Sequence, residues 1–105
     1  MADVTSGSHL YWEAADTTGI SEKITLQIVM LAWVSNDGTN MDIAADDDLS
    51  ITDGNDIEVI TKRAEAAGDG IDPVCFNPPL KMSGIKIAKL GGGVVHITVR
   101  DPIPA

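Results

Sequence analysis

The sequence predicts an all-β protein, a single small antiparallel β-sandwich or barrel closed by a C-terminal hairpin. Three observations lead to this prediction. Apolar and polar residues alternate over several short segments, glycine-containing turn signals separate those segments, and helix-forming composition is almost absent. The 105-residue chain is long enough for one modest core, so we expect one β domain over residues 1–105 with extended N- and C-terminal tails.

The first long predicted strand is "KITLQIVMLAWVS", from Lys23 to Ser35, after a short aromatic segment at Leu10–Glu13. Apolar and polar residues alternate at its start, and both faces become apolar towards its end. This pattern is typical of a strand that begins half exposed and ends buried. A buried helix can show the same apolar run, but the β-branched and aromatic residues favour a strand.

Three turn signals divide the rest of the chain into predicted strand pairs. Asp37-Gly38 and the "TDGND" segment at 52–56 contain the dipeptide that accepts the positive φ angles of a tight hairpin turn. The third signal is the triple glycine at 91–93, between "GIKIAKL" and "VVHITVR". Three short strand pairs with turns between them are typical of an all-β fold.

Two segments do not fit the strand pattern. Residues 61–70 have helix-forming composition, but they are few and lack a capping box, so we expect a turn of helix or a loop. The segment "DPVCFNPPLKM" has three prolines, which predict that it crosses over the outside of the sandwich instead of forming a central strand. Its cysteine, Cys75, is the only one in the chain, which excludes an internal disulfide, and we expect a buried or half-buried thiol there.

The last segment is predicted to close the core as a hairpin around the three glycines. One strand would direct Ile85, Ile87 and Leu90 to the core, and the returning strand Val95, Ile97 and Val99. His96, Thr98 and Arg100 would then point to the opposite face. A slip of one residue would expose the whole apolar set, so the core fixes the register.

The net charge of −9 is large for this length and is unevenly distributed. Residues 1–61 contain twelve acidic side chains and one basic, whereas residues 62–105 contain four acidic and six basic. So acidic a chain is not expected to bind nucleic acid. The charge either keeps the chain soluble, or it lets the basic edge of one copy meet the acidic face of another.

The N-terminus has neither a basic start nor an apolar run, so no secretory signal is predicted. The longest apolar run, 28–34, is too short to cross a bilayer. We therefore expect a protein made in the cytoplasm without membrane association.

No pattern in the sequence predicts catalysis, so we expect no enzyme activity and no cofactor. Nucleophile elbows, P-loops, dinucleotide fingerprints and metalloprotease helices are missing. Asp53, Asn55 and Asp56 form a weak candidate calcium site with one of the three preceding aspartates, and solvated turn residues are the alternative. His9 and His96 are far apart in sequence and neither has an obvious second ligand, so both are expected to be ordinary strand residues.

Ligand binding through aromatic residues is the remaining alternative to a structural role. Small β-sandwiches hold sugars on exposed aromatic side chains, and Tyr11-Trp12 is the candidate pair. Adjacent strand residues point to opposite faces, so we expect one of the two to face inward. A carbohydrate- or peptide-binding module therefore stays open.

The segment Ser83–Val99 resembles the last hairpin of small accessory proteins in tailed bacteriophage particles. The resemblance lies in a glycine with alternating aliphatic residues, a glycine turn and an aliphatic strand: Gly84, Ile85, Ile87, Leu90, Gly92 or Gly93, Val95, Ile97 and Val99. The earlier "ITLQIVMLAWVSNDG" and "FNPP" agree with it. The resemblance implies a compact β-sandwich that decorates or cements a capsid shell, or that belongs to the neck, tail or fibres.

We therefore predict a virion structural protein, first of all a capsid cement or decoration subunit. Its partners would be the major capsid protein or other virion subunits, and the chain is predicted to form a homo-oligomer. The side chains expected at the contacts are Lys86, Lys89, His96, Arg100, Tyr11 and Trp12.

Overall fold

The computed structural model describes residues 4–35 and 42–104, and these residues form one antiparallel sheet. Its six strands are β1 (Gly7–Trp12), β2 (Asp16–Val34), β3 (Asp48–Thr52), β4 (Glu58–Arg63), β5 (Ile71–Leu90) and β6 (Val94–Ile103). Their order across the sheet is β1-β6-β2-β5-β3-β4. The all-β, antiparallel prediction is confirmed. No helix in the described part of the chain is long and apolar enough to cross a membrane.

The long strands β2 and β5 form the centre of the sheet. They pair with each other from Asp16↔Ile87 to Trp33↔Ile71. β6 joins the C-terminal half of β2, between Ile28↔Val99 and Val34↔Val94, and β1 joins β6. On the other side, β3 pairs with the last residues of β5, and β4 pairs with β3.

One hydrophobic cluster draws side chains from both ends of this sheet. It includes Leu10 and Trp12 from β1 together with Leu49 and Ile51 from β3, all at most 1% exposed. Three strands separate β1 from β3 in the sheet order. Because neighbouring strands lie about 4.8 Å apart, a flat sheet would keep these residues well separated. The sheet therefore curves around a shared core, and β1 and β4 stand at its two edges without pairing to each other in the described part of the chain.

The predicted C-terminal hairpin is wrong, although its core residues are right. β5 and β6 lie on opposite sides of β2, so the triple glycine connects two strands that do not pair. Glycine is needed there because other segments pack against it: side-chain atoms at Gly91 and Gly92 would meet Asp47, and at Gly93 they would meet Ile43. The aliphatic residues assigned to the core are buried: Ile85, Ile87, Val95, Ile97 and Val99; Leu90 is half-buried.

The other two predicted turns differ in outcome. The "TDGND" segment connects β3 to β4 as a hairpin, which pairs Asp48↔Arg63 through Thr52↔Glu58. Asp37-Gly38 lies outside the described residues. The strands on either side of it are not neighbours, because β5 lies between β2 and β3, so the strand pair expected across this turn is wrong.

The proline-bearing segment is also a correction, because it belongs to β5 and pairs with β2. Cys75 lies opposite Met30, and Leu80 lies opposite Ile28. The residues between Cys75 and Leu80, among them two prolines, face an irregularity in the ladder where no regular pairing is required. In the described part of the chain, β3 reaches β5 only from Lys86 onward, so the prolines lie where β5 has one partner strand.

Two smaller expectations in this half of the chain can be compared. Residues 61–63 end β4 and residues 64–70 form an irregular loop, so the loop alternative holds for most of that segment. The thiol of Cys75 is exposed. The prediction of a buried or half-buried cysteine is therefore wrong, because most residues in this part of β5 are exposed.

Candidate interaction surfaces

The predicted contact residues separate into two groups on different parts of the sheet. Lys86 and Lys89 lie on the last part of β5, beside β3. Tyr11, Trp12, His96 and Arg100 lie on β1 and β6. The two groups do not form one site.

Four of the seven basic residues of the chain lie on β4 and the end of β5, and three of them have carboxylate partners within the chain. The Arg63 guanidinium donates to both carboxylate oxygens of Asp48, at 2.8 and 3.1 Å. This hydrogen bond holds the pKa of Asp48 below its ordinary value. The Nζ–Oδ1 distances of the other two pairs, Lys62–Asp69 and Lys86–Asp56, are 3.3 and 3.0 Å.

These ion pairs change the meaning of the uneven charge in the sequence. Asp48 and Asp56 come from the acidic part of the chain, whereas Arg63 and Lys86 come from the basic part. Folding brings the two parts together and neutralises most of the basic cluster internally. A continuous basic edge, as the sequence suggested, is not formed by these residues.

Lys89 is the exception, and it lines an open depression of about 430 Å³. The depression lies over β3, β4 and the end of β5, and we call its lining the β3–β5 face: Asp48, Leu49, Ser50, Glu58, Thr61, Lys62, Arg63 and Lys89. Lys89 is exposed, and in the described part of the chain no carboxylate oxygen lies within 4.0 Å of its Nζ. Ile57 and Val59, which flank Glu58 in sequence, are 62% and 38% exposed.

Asp53, Asn55 and Asp56, the weak calcium candidates, form part of the β3–β4 turn. Asp53 Oδ1 accepts the backbone N–H of Asn55 at 2.8 Å and that of Ile57 at 3.1 Å. Asp56 has a positive φ of 65° and pairs with Lys86. Their carboxylates are thus used in shaping and anchoring the turn. Within residues 4–35 and 42–104, no three His, Cys, Asp or Glu side chains are grouped so as to hold a metal ion.

The two histidines lie together, which the sequence did not predict. β1 pairs with β6 so that Tyr11 is opposite His96 and His9 is opposite Thr98. His9 Nε2 and His96 Nδ1 are consequently 3.2 Å apart, although 87 residues separate them in sequence. Burial and, secondarily, the neighbouring His9 lower the pKa of His96. His9 is an exposed residue of β1 and His96 a half-buried residue of β6, as expected, but each has the other as a potential second ligand, which was not expected.

Tyr11 and Trp12 do not form an aromatic platform. Both are buried, with exposed fractions of 6% and 0%. Trp12 belongs to the core, and its indole N–H donates to Asp16 Oδ2 at 3.1 Å. The Tyr11 ring lies 5.0 Å from the His96 ring, and its hydroxyl donates to Glu13. Trp12 faces inward, as expected for one of the pair, but Tyr11 is buried too, so neither side chain provides the exposed surface that the carbohydrate-binding alternative requires.

Arg100 is exposed, as predicted, and makes a long hydrogen bond of 3.4 Å to Gln27 Oε1 on β2. No protein-family model, curated protein or solved structure matches this chain. The resemblance to phage accessory proteins therefore rests on the sequence pattern alone.

Proposed function

We propose that the chain is a structural subunit of a tailed-phage virion, a capsid decoration or cement protein that attaches through its β3–β5 face. One observation carries this proposal. On a chain with a net charge of −9, this face includes the exposed cation of Lys89, and Glu58 in its lining is flanked in sequence by the exposed apolar side chains of Ile57 and Val59. Apolar contact with a few complementary charges is the composition that protein interfaces use.

The internal ion pairs favour attachment at this face. Arg63 and Lys62 are held by Asp48 and Asp69 before any partner arrives. Binding a partner therefore costs less side-chain entropy than it would if these two side chains were free. Lys89 would find a carboxylate on the shell, and Ile57 would be covered by an apolar patch.

The acidic remainder of the surface suits a protein present in many copies on one particle. Like charges keep free copies apart and limit non-specific association. A lasting contact needs about 1,200 Å² of buried surface in total, so the 430 Å³ depression is the centre of such a contact and not its whole extent. The homo-oligomer predicted from the sequence would form on the surface of the capsid shell.

The experiment compares particles that carry the wild-type chain with particles that carry variants. A culture infected with a tailed phage encoding the chain is lysed, particles are purified on a density gradient, and fractions are probed with an antibody to the chain. We expect the wild-type chain in the particle band. Lys89→Glu and Ile57→Asp should move it to the soluble fractions, whereas Lys81→Glu, an exposed lysine elsewhere on β5, should not.

The outcome also assigns the location on the particle. Gold-labelled antibody on the shell supports a decoration or cement protein, and label on the neck, tail or fibres supports the alternative placement. A chain found only in the soluble fractions contradicts a virion role. A particle-bound chain that Lys89→Glu and Ile57→Asp leave unchanged contradicts attachment through the β3–β5 face.

A further inference from the structure

We propose that His9 and His96 form an open binding site for a divalent transition-metal ion such as Zn²⁺ on the outer surface of β1 and β6. The site is independent of the β3–β5 face, because it lies on the strands at the other end of the sheet order. The distance of 3.2 Å between His9 Nε2 and His96 Nδ1 carries the proposal.

That distance matches the spacing of two ligands on one ion. Zinc binds imidazole nitrogen at about 2.0–2.1 Å with tetrahedral geometry, which places two ligand nitrogens about 3.3–3.4 Å apart. The two nitrogens of the histidine pair lie close to this spacing, 3.2 Å apart. His9 is exposed, so a rotation of its ring directs both lone pairs at one ion. The ion then takes the place of the hydrogen bond, and the proton of the donating ring moves to that ring's other nitrogen, so both rings stay neutral.

The strands hold the backbones of the two histidines at this spacing, and neighbouring side chains contact both rings. The β1–β6 register fixes both backbone positions. The Tyr11 ring packs against His96 with 5.0 Å between ring centroids, and the Thr98 hydroxyl lies 3.4 Å from the other nitrogen of His9. Contacts of this kind orient histidine ligands and select the nitrogen that meets the metal.

The charge of the chain also favours a bound cation. The chain's net charge of −9 attracts cations to the surface as a whole.

The site is open, which sets its selectivity and strength. No third His, Cys, Asp or Glu completes it among residues 4–35 and 42–104. Water molecules would fill the remaining positions, so binding is weaker than at a closed four-ligand zinc site. Two imidazoles select Cu²⁺, Ni²⁺ and Zn²⁺ over Ca²⁺ and Mg²⁺, which prefer oxygen ligands.

The test is a titration of the tag-free, full-length chain with ZnCl₂, followed by NMR of the two histidine side chains and by calorimetry. We expect both rings to shift together and to saturate at one ion per chain. CaCl₂ at the same concentrations should leave them unchanged. The proposal is overturned if zinc shifts the aspartate and glutamate signals as much as the histidine signals. It is also overturned if millimolar zinc shifts no histidine signal.

Variants distinguish this pair from general cation binding by an acidic protein. His9→Gln is a safe first variant because the side chain is exposed, and His96→Gln removes the other ligand. Loss of second-shell contacts alone weakens metal binding about 10- to 100-fold, so loss of either ligand should weaken it at least about tenfold. Lys23→Gln, exposed on β2, is the matched control and should bind as wild type. Equal zinc affinity in His9→Gln and wild type contradicts the site, provided that the circular dichroism of both is the same.

Discussion

The indole N–H of Trp33 donates to the carbonyl oxygen of Gly92 at 2.8 Å and so joins the end of β2 to the connection between β5 and β6. Trp33 is completely buried in the core. This hydrogen bond fixes the glycine connection at the end of the strand that separates β5 from β6. The β5–β6 connection is therefore anchored to the end of β2, which lies between the two strands.

Trp33→Phe should destabilise the protein by about 2 kcal/mol, because it removes the donor to Gly92 and leaves a small cavity in the core. Urea unfolding followed by far-ultraviolet circular dichroism measures the change. A cost below about 0.5 kcal/mol, which is usual for surface substitutions, would contradict the role given to Trp33.

Gly84 and Gly68 form a matched pair for a second prediction, since both have positive φ, 72° and 80°. A Cβ at Gly84 would collide with the backbone of Ile20 and Glu22 on β2, whereas a Cβ at Gly68 would meet no atom within 4 Å. Gly84→Ala should therefore cost at least about 2 kcal/mol of unfolding free energy, and Gly68→Ala about 1 kcal/mol. Equal costs, measured by chemical denaturation, would mean that the close approach of β2 to Gly84 does not add to the cost of a side chain at this position.

The strands were predictable from the sequence because alternation of apolar and polar residues is a local signal. Ile85 and Ile97 were assigned to the core in this way, and both are completely buried. The pairing of strands was not predictable by the same means. A glycine turn between two strands is compatible with a hairpin and with a connection across a third strand, and the pairing of both β5 and β6 with β2 separates the two cases.

The surroundings of the candidate contact residues were harder to predict than the core for the same reason. His9 and His96 meet because β1 pairs with β6 in a particular register, and nothing near either residue in sequence signals it. Lys86 and Lys89 looked equivalent, but the β3–β4 turn places Asp56 beside Lys86. Only one of Tyr11 and Trp12 was expected to face inward, yet both are buried, and Trp12 completes a core that is otherwise mainly aliphatic.

The exposed thiol of Cys75 leads to a third prediction. In native buffer, one thiol per chain should react with Ellman's reagent, and chemical denaturation should reveal no further thiol. Cys75→Ser should change stability by no more than about 0.5 kcal/mol, as expected for a surface position. A thiol that reacts only after unfolding would show that Cys75 is covered in solution.

The fourth prediction concerns the loss of stability in acid through Asp16. Partial burial acts to raise the pKa of Asp16, but hydrogen bonds from Gly19, Trp12 and Thr18 outweigh it and hold the pKa below 3.8. A carboxylate whose pKa is lower in the folded state stabilises the protein above the unfolded-state pKa, and this contribution is lost as the pH falls through the folded-state value. Asp16→Asn keeps an acceptor for the turn but removes the charge, so it should cost about 1 kcal/mol at pH 7.

The measurement is the difference in unfolding free energy between wild type and Asp16→Asn as a function of pH. We expect this difference to be constant from pH 7 to pH 5 and to shrink below pH 3.8, because the wild type loses the contribution that the variant never had. Asp48→Asn is the comparison, since the pKa of Asp48 is lowered by Arg63 on an exposed part of the sheet. Its difference should also shrink in acid, and it should diminish in high salt, which screens an exposed ion pair more than the hydrogen bonds around Asp16. A difference for Asp16→Asn that stays constant down to pH 2 would contradict the assignment of the lowered pKa to the turn that follows β1.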